Sequence, residues 1–144
     1  MNSNMLNVNH LIYETHWLVS IFLMVLLSMP IVTWAHSNEY LSKIKGAHGG
    51  MLRMADMYHF ELVVKDGEAR VWVTDHGDTP QATRGAIGTL RIISSNNTFL
   101  VHLVPVGRNE LLIKDARIKA RKETRFLLDI KMKGEPNLSA RFSM

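Results

Sequence analysis

The stretch YHFELVVKDGEARVWVTD, residues 58–75, narrows the fold more than any other part of the chain. Phe60, Leu62 and Val64 alternate with His59, Glu61 and Val63, and Val71 and Val73 alternate with Trp72 and Thr74. Successive side chains of an extended strand point to opposite faces, so each run presents one apolar face. On this pattern His59 and Glu61 belong to the less buried face. Asp66-Gly67 between the runs is a strong hairpin signal, because both residue types tolerate the positive φ of a tight turn. Pairing through that turn makes facing positions sum to about 133, and a one-residue slip would turn every apolar side chain outward.

The rest of the chain repeats the theme. Residues 89–94, 98–104, 111–120, 124–132 and 138–144 read as further short strands, separated by segments rich in Gly, Pro, Asn and Asp. The expected fold class is all-β, an antiparallel sandwich or small barrel of about seven strands. The expected organisation is a hydrophobic leader at 1–35, an N-terminal segment with an HGG loop at 36–57, and the β-domain at 58–144. Arg117, Lys119 and Arg121 alternate on the fifth predicted strand, either as a solvated face that blunts an edge or as a docking face for an acidic partner.

Residues 17–35, WLVSIFLMVLLSMPIVTWA, carry no charge. A run of that length suits a secretory signal or a membrane anchor. Pro30 near its end and small side chains at Thr33 and Ala35 favour cleavage after Ala35. The lack of any Lys or Arg before Lys43 leaves an uncleaved anchor open. Either way the domain is expected on the periplasmic side. All 17 Lys and Arg and 12 of the 13 acidic side chains follow residue 35, Glu14 being the exception, which gives about +5 with His neutral (17 less 12). That balance admits an acidic protein or an anionic membrane surface as partner; for an exported chain it does not indicate nucleic acid.

The chain has no Cys, which removes thiolate metal sites and Cys nucleophiles. No HExxH, GxSxG or Gly-rich phosphate loop occurs, so no enzyme is expected. The chemistry-bearing side chains gather elsewhere. HGGMLRMADMYHFE, residues 48–61, holds His48, Met51, Met54, Met57 and His59. Imidazole and thioether together suit a soft ion such as copper(I) or silver(I). The hairpin register brings Asp75 and His76 beside Tyr58 and Met57, so His48, His59 and His76 are expected near one end of the hairpin. The bland alternative is that the Met side chains plug the end of the sandwich and each His is structural. Trp72 reads as a core residue or as a ring over the cation, and His102 as structural. Cleavage after Ala35 would also leave His36 as a terminal chelate for copper(II).

The blocks HGG, DMYHFELVVKDGEARVWVTDHGDTP, RGAIGTLRI and the final SARF resemble a family of small exported bacterial proteins associated with copper or other heavy metals. Similar HGG…ELV stretches occur in periplasmic adaptor subunits of heavy-metal efflux pumps. The likeness spans about residues 46–144, and His48, His59 and His76 match the family's recurring His. It implies a periplasmic β-domain tied to metal tolerance or efflux. One departure is KDARIKARKETR, residues 114–125, which stands where that family's pattern has a Gly- and Pro-rich loop.

The expected function is periplasmic binding of copper or silver. His48, His59 and His76 would be ligands, Met51, Met54 or Met57 soft donors, and Asp75 a supporting or harder ligand. The alternative is a metal-free envelope module that docks on an efflux adaptor or another periplasmic protein.

Overall fold

Alternating apolar residues close into one antiparallel sheet of eight strands. The computed structural model describes residues 38–144; the leader at 1–35, its cleavage and the chelate at His36 lie outside the described residues. One helical turn, α1 (Asn38–Leu41), precedes β1 (Met51–Ala55), β2 (Tyr58–Lys65), β3 (Glu68–Asp75), β4 (Ile87–Ile93), β5 (Thr98–Val106), β6 (Glu110–Lys114), β7 (Arg125–Lys131) and β8 (Asn137–Ser143). Among the described residues no helix is long and apolar enough to cross a membrane.

The strand order is β1-β2-β3-β6-β5-β4-β7-β8. β5 joins the two halves: Thr98–Leu103 pairs with β4, and Val104–Val106 turns to pair with β6. The end strands β1 and β8 lie side by side without a hydrogen-bonded ladder, which leaves a barrel closed except for one seam. Phe60, Leu62, Val71 and Val73 fill one side of its interior and Leu90, Leu128, Ile130 and Phe142 the other, all at most 1% exposed. Burying one such side chain contributes about 1.5–3 kcal/mol, and the alternation ensures that each strand delivers several.

The central hairpin has the register that its turn requires. Tyr58 pairs with Asp75, Phe60 with Val73 and Leu62 with Val71. Gly67 supplies the turn's positive φ, 82°.

Three expectations need correction. First, there are eight strands rather than seven, and the sheet begins at Met51 rather than Tyr58. β1 is half-buried along its whole length, so its sequence shows no clean alternation. Its turn into β2 uses Asp56 at φ 52° rather than a glycine; Asp is one of the few side chains that tolerates that region. Second, the predicted strand 111–120 ends at Lys114. Arg117, Lys119 and Arg121 alternate in a loop, not a strand. Ile118 between them is fully buried, and two backbone bonds fasten the loop to the β2–β3 turn: Gly67 N–H to Ile118 O at 2.9 Å and Asp115 N–H to Gly67 O at 3.0 Å. Alternation there comes from one apolar plug between cations. Third, His59 and Glu61 are each only 5% exposed. They sit on the outer face of the sheet, but the segment from α1 to Gly50 folds over that face and buries them.

Candidate metal cleft

Between that covering segment and the outer face of β2 and β3 lies a cleft of about 390 Å³. His48, His59 and His76 all line it, with Trp72, Glu61 and Asp78, and Tyr40, Ile44 and Leu52 supply apolar wall. The sequence places the three His near one end of the hairpin, and the fold brings them to this one cleft.

Glu61 organises one part. Its Oε1 accepts the backbone N–H of His48 and of Gly50, both at 2.8 Å, and its Oε2 lies 2.8 Å from His48 Nδ1. A carboxylate only accepts, so His48 Nδ1 carries the proton and the lone pair stays on Nε2. The His48 ring stacks on Trp72, centroids 3.9 Å apart and planes within 7°. Trp72 is thus not a buried core residue; one face of its ring is the platform for His48. Close approach explains the glycines. A Cβ on Gly46 would stand 2.2 Å from Glu61 Cδ, and one on Gly50 would stand 2.7 Å from the Leu62 carbonyl oxygen.

His59 and His76 form the second part. Their rings meet edge-on, centroids 4.9 Å apart. His76 Nε2 lies 3.0 Å from the Asp56 carbonyl oxygen. A carbonyl can only accept, so Nε2 is the protonated nitrogen and the lone pair of neutral His76 is on Nδ1. His59 Nδ1 lies 3.6 Å from Asp78 Oδ1, a charge contact longer than a hydrogen bond. The 2.8 Å tie of His48 to Glu61 and the 3.0 Å tie of His76 to a carbonyl are the kind of contact that orients a metal-binding imidazole.

The other predicted ligands are spread more widely. Asp75 is spent on its own loop: its Oδ1 accepts the N–H of Gly77 and of Thr79, both at 2.9 Å, and its Oδ2 accepts Gln81 Nε2 at 2.9 Å. These bonds, led by Thr79, hold its carboxyl below the ordinary range. Met51 faces the barrel interior and packs against the core. Met57 is in the β1–β2 turn and 61% exposed. Met54 is on the outer face directly opposite His59. Strands alternate, so the three Met cannot share a point. His102 is exposed on β5, paired with Thr89.

Among the described residues no three His, Asp or Glu side chains converge on a common metal position. His59 and His76 are the two imidazoles that the cleft brings nearest each other, with centroids 4.9 Å apart. The sequence reading missed Asp56, Glu61 and Asp78. Asp56 acts through its carbonyl, Asp78 is brought in by a loop, and Glu61 looks like any outward carboxylate until its cover is known. Its one sequence trace is Gly46-Ala-His-Gly-Gly50, glycines spaced to wrap a side chain. No family model, curated protein or solved structure matches the chain.

Proposed function

We propose that the protein binds a soft monovalent ion, copper(I) or silver(I), on the periplasmic side and serves heavy-metal tolerance or efflux as a binding protein rather than an enzyme. The observation that carries this reading is the His59–His76 pair, two imidazoles edge-on with centroids 4.9 Å apart in one cleft, His76 held by the Asp56 carbonyl. Both ions accept few, soft or imidazole donors. Met54 pairs with His59 across the strands but lines a depression at the β1–β8 seam rather than this cleft, so the two imidazoles carry the reading. His48 is engaged by Glu61 and Trp72 and shapes the cleft wall. The resemblance to metal-associated exported proteins supports the same assignment and supplies the efflux adaptor as partner.

Silver(I) titration of the protein, followed through imidazole ¹⁵N signals, tests this. One equivalent should shift one nitrogen of His59 and one of His76, with His102 unmoved. Zinc(II) at the same concentration should leave both in place. Absence of a silver response at His59 and His76 would remove the metal reading. The second reading, a metal-free envelope module, is favoured by the tie of His48 to Glu61, which makes that His part of the fold; it expects no response from either ion.

A further inference from the structure

The opposite side of the barrel carries a different kind of surface. Cross-strand pairing over β5, β4, β7 and β8 sets Leu100, Arg91, Leu127 and Arg141 in one row, and Thr98, Ile93, Arg125 and Ser143 in the next. Arg91, Arg125, Lys131 and Arg141 are exposed, and Asp129 is the one acidic residue of these four strands. Asp129 is taken by the Ser139 hydroxyl. None of the four cations pairs with a carboxylate among the described residues. Leu100 and Ile87 stand among them, 44% and 68% exposed. Cations interleaved with exposed aliphatic side chains suit the boundary between lipid headgroups and acyl chains.

The chain enters the described domain beside this face. Asn38 opens α1, and its carboxamide holds both backbone groups of Met54 on β1, at 2.7 and 3.0 Å. With Arg53, Leu127 and Arg141 it lines a depression of about 490 Å³ at the β1–β8 seam. Arg53 has no acidic partner among the described residues, and burial lowers its pKa. The uncharged stretch 17–35 ends three residues before Asn38. Three extended residues span at most about 11 Å, close to the screening length of about 8–10 Å at ordinary salt. A leader retained as an anchor therefore keeps the arginine face within electrostatic reach of headgroup phosphates. A free acidic protein has no such tether to raise its local concentration.

We propose that the leader is retained as an anchor and that Arg91, Arg125 and Arg141 dock the domain on the anionic phospholipid headgroups of the bilayer the leader enters. Guanidinium forks make paired bonds to phosphate oxygens, which Lys cannot reproduce. Anionic headgroups attract cations clustered next to an anchor, and Leu100 and Ile87 add apolar contact at the headgroup boundary. The cations of the 115–124 loop are less available: Arg117 is bound by Asp115, and Lys119 lies 3.8 Å from Asp66. Docking through β4, β7 and β8 leaves the outer face of β2 and β3, with its cleft, turned away from the bilayer. The assignment is independent of the metal reading.

The full chain in lipid nanodiscs, with a gadolinium chelate on a few headgroups, tests this through the broadening of backbone amides. In discs of phosphatidylcholine with phosphatidylglycerol, Arg91, Leu127 and Arg141 should broaden severalfold more than Arg70 and Trp72. Those two lie on β3, four strands from β7 by either route round the barrel. In phosphatidylcholine alone, or at high salt, the difference should shrink away. Arg125→Glu combined with Arg141→Glu should abolish it, and the paired Lys replacements should keep part of it, because the charge remains and the fork is lost. Equal broadening of the two faces, strongest broadening on β3 or in the 115–124 loop, a pattern indifferent to phosphatidylglycerol, or one unchanged in the Glu variant would each overturn the docking. A chain found by mass spectrometry to be cut after Ala35 in cell membranes would overturn the anchor on which it rests. Both substituted residues are exposed, and amide spectra in phosphatidylcholine discs report whether the fold is kept.

Discussion

The covered face of β2 and β3 and the open face of β4, β7 and β8 handle charge in opposite ways. On the first, polar groups answer each other. Glu61 holds two backbone N–H groups and His48, and Arg70 sits between Glu68 at 2.6 Å and Glu110 at 2.5 Å. On the second, Arg91, Arg125 and Arg141 have no carboxylate partner among the described residues. A buried polar group must be satisfied within the chain because leaving it unpaired costs more than a hydrogen bond returns. An exposed one is under no such pressure, because water solvates it. The closed face should be sensitive to substitution for stability, and the open face should tolerate it.

Glu61→Ala is the largest expected break. It orphans the N–H groups of His48 and Gly50 and should cost about 2–4 kcal/mol in urea unfolding, where Arg141→Ala should change stability by no more than about 0.5 kcal/mol. Comparable losses for the two would erase the contrast between the faces. Gly46→Ala should follow at about 1–3 kcal/mol, because the new methyl overlaps the Glu61 side chain. A double variant with Glu61→Ala should then show clear non-additivity, since the obstructing side chain is gone.

A subtler expectation concerns Asp115. The Arg117 guanidinium, bonded to its carboxylate, holds the carboxyl at about 2. A depressed carboxyl binds its proton more readily in the unfolded chain. Its contribution is therefore full above the ordinary carboxylate range and is lost as pH falls through about 2. Carboxyl ¹³C titration should place its midpoint well below those of exposed carboxylates, and Asp115→Asn should flatten that part of the acid-unfolding curve. The smallest effect belongs to His102→Ala, which should alter neither silver binding nor stability beyond about 0.5 kcal/mol.

The all-β fold and the register of the β2–β3 hairpin were legible because one turn and two clean alternations leave little freedom. β1 was not, since a strand half-buried on both faces shows no period and Asp56 turns without glycine. The 115–124 loop imitated a strand because Ile118 sits between cations. The gathering of His48, His59 and His76 followed from the register and the HGG loop. The tie of His48 to Glu61 and its stacking on Trp72 did not, because both exist only once the loop folds over those side chains. The arginine face was equally hidden: Arg91, Arg125 and Arg141 come from three strands and meet only through pairing.

The central claim is that the metal belongs to His59 and His76, with His48 as scaffold. Silver(I) affinity measured side by side for His76→Ala and His48→Ala tests it most directly, since both residues are exposed and the two line the same cleft. The account predicts that His76→Ala loses about tenfold or more in affinity while His48→Ala keeps an affinity near that of the parent protein. Equal loss in both would make the cleft a three-imidazole site, and full affinity in His76→Ala would contradict the assignment.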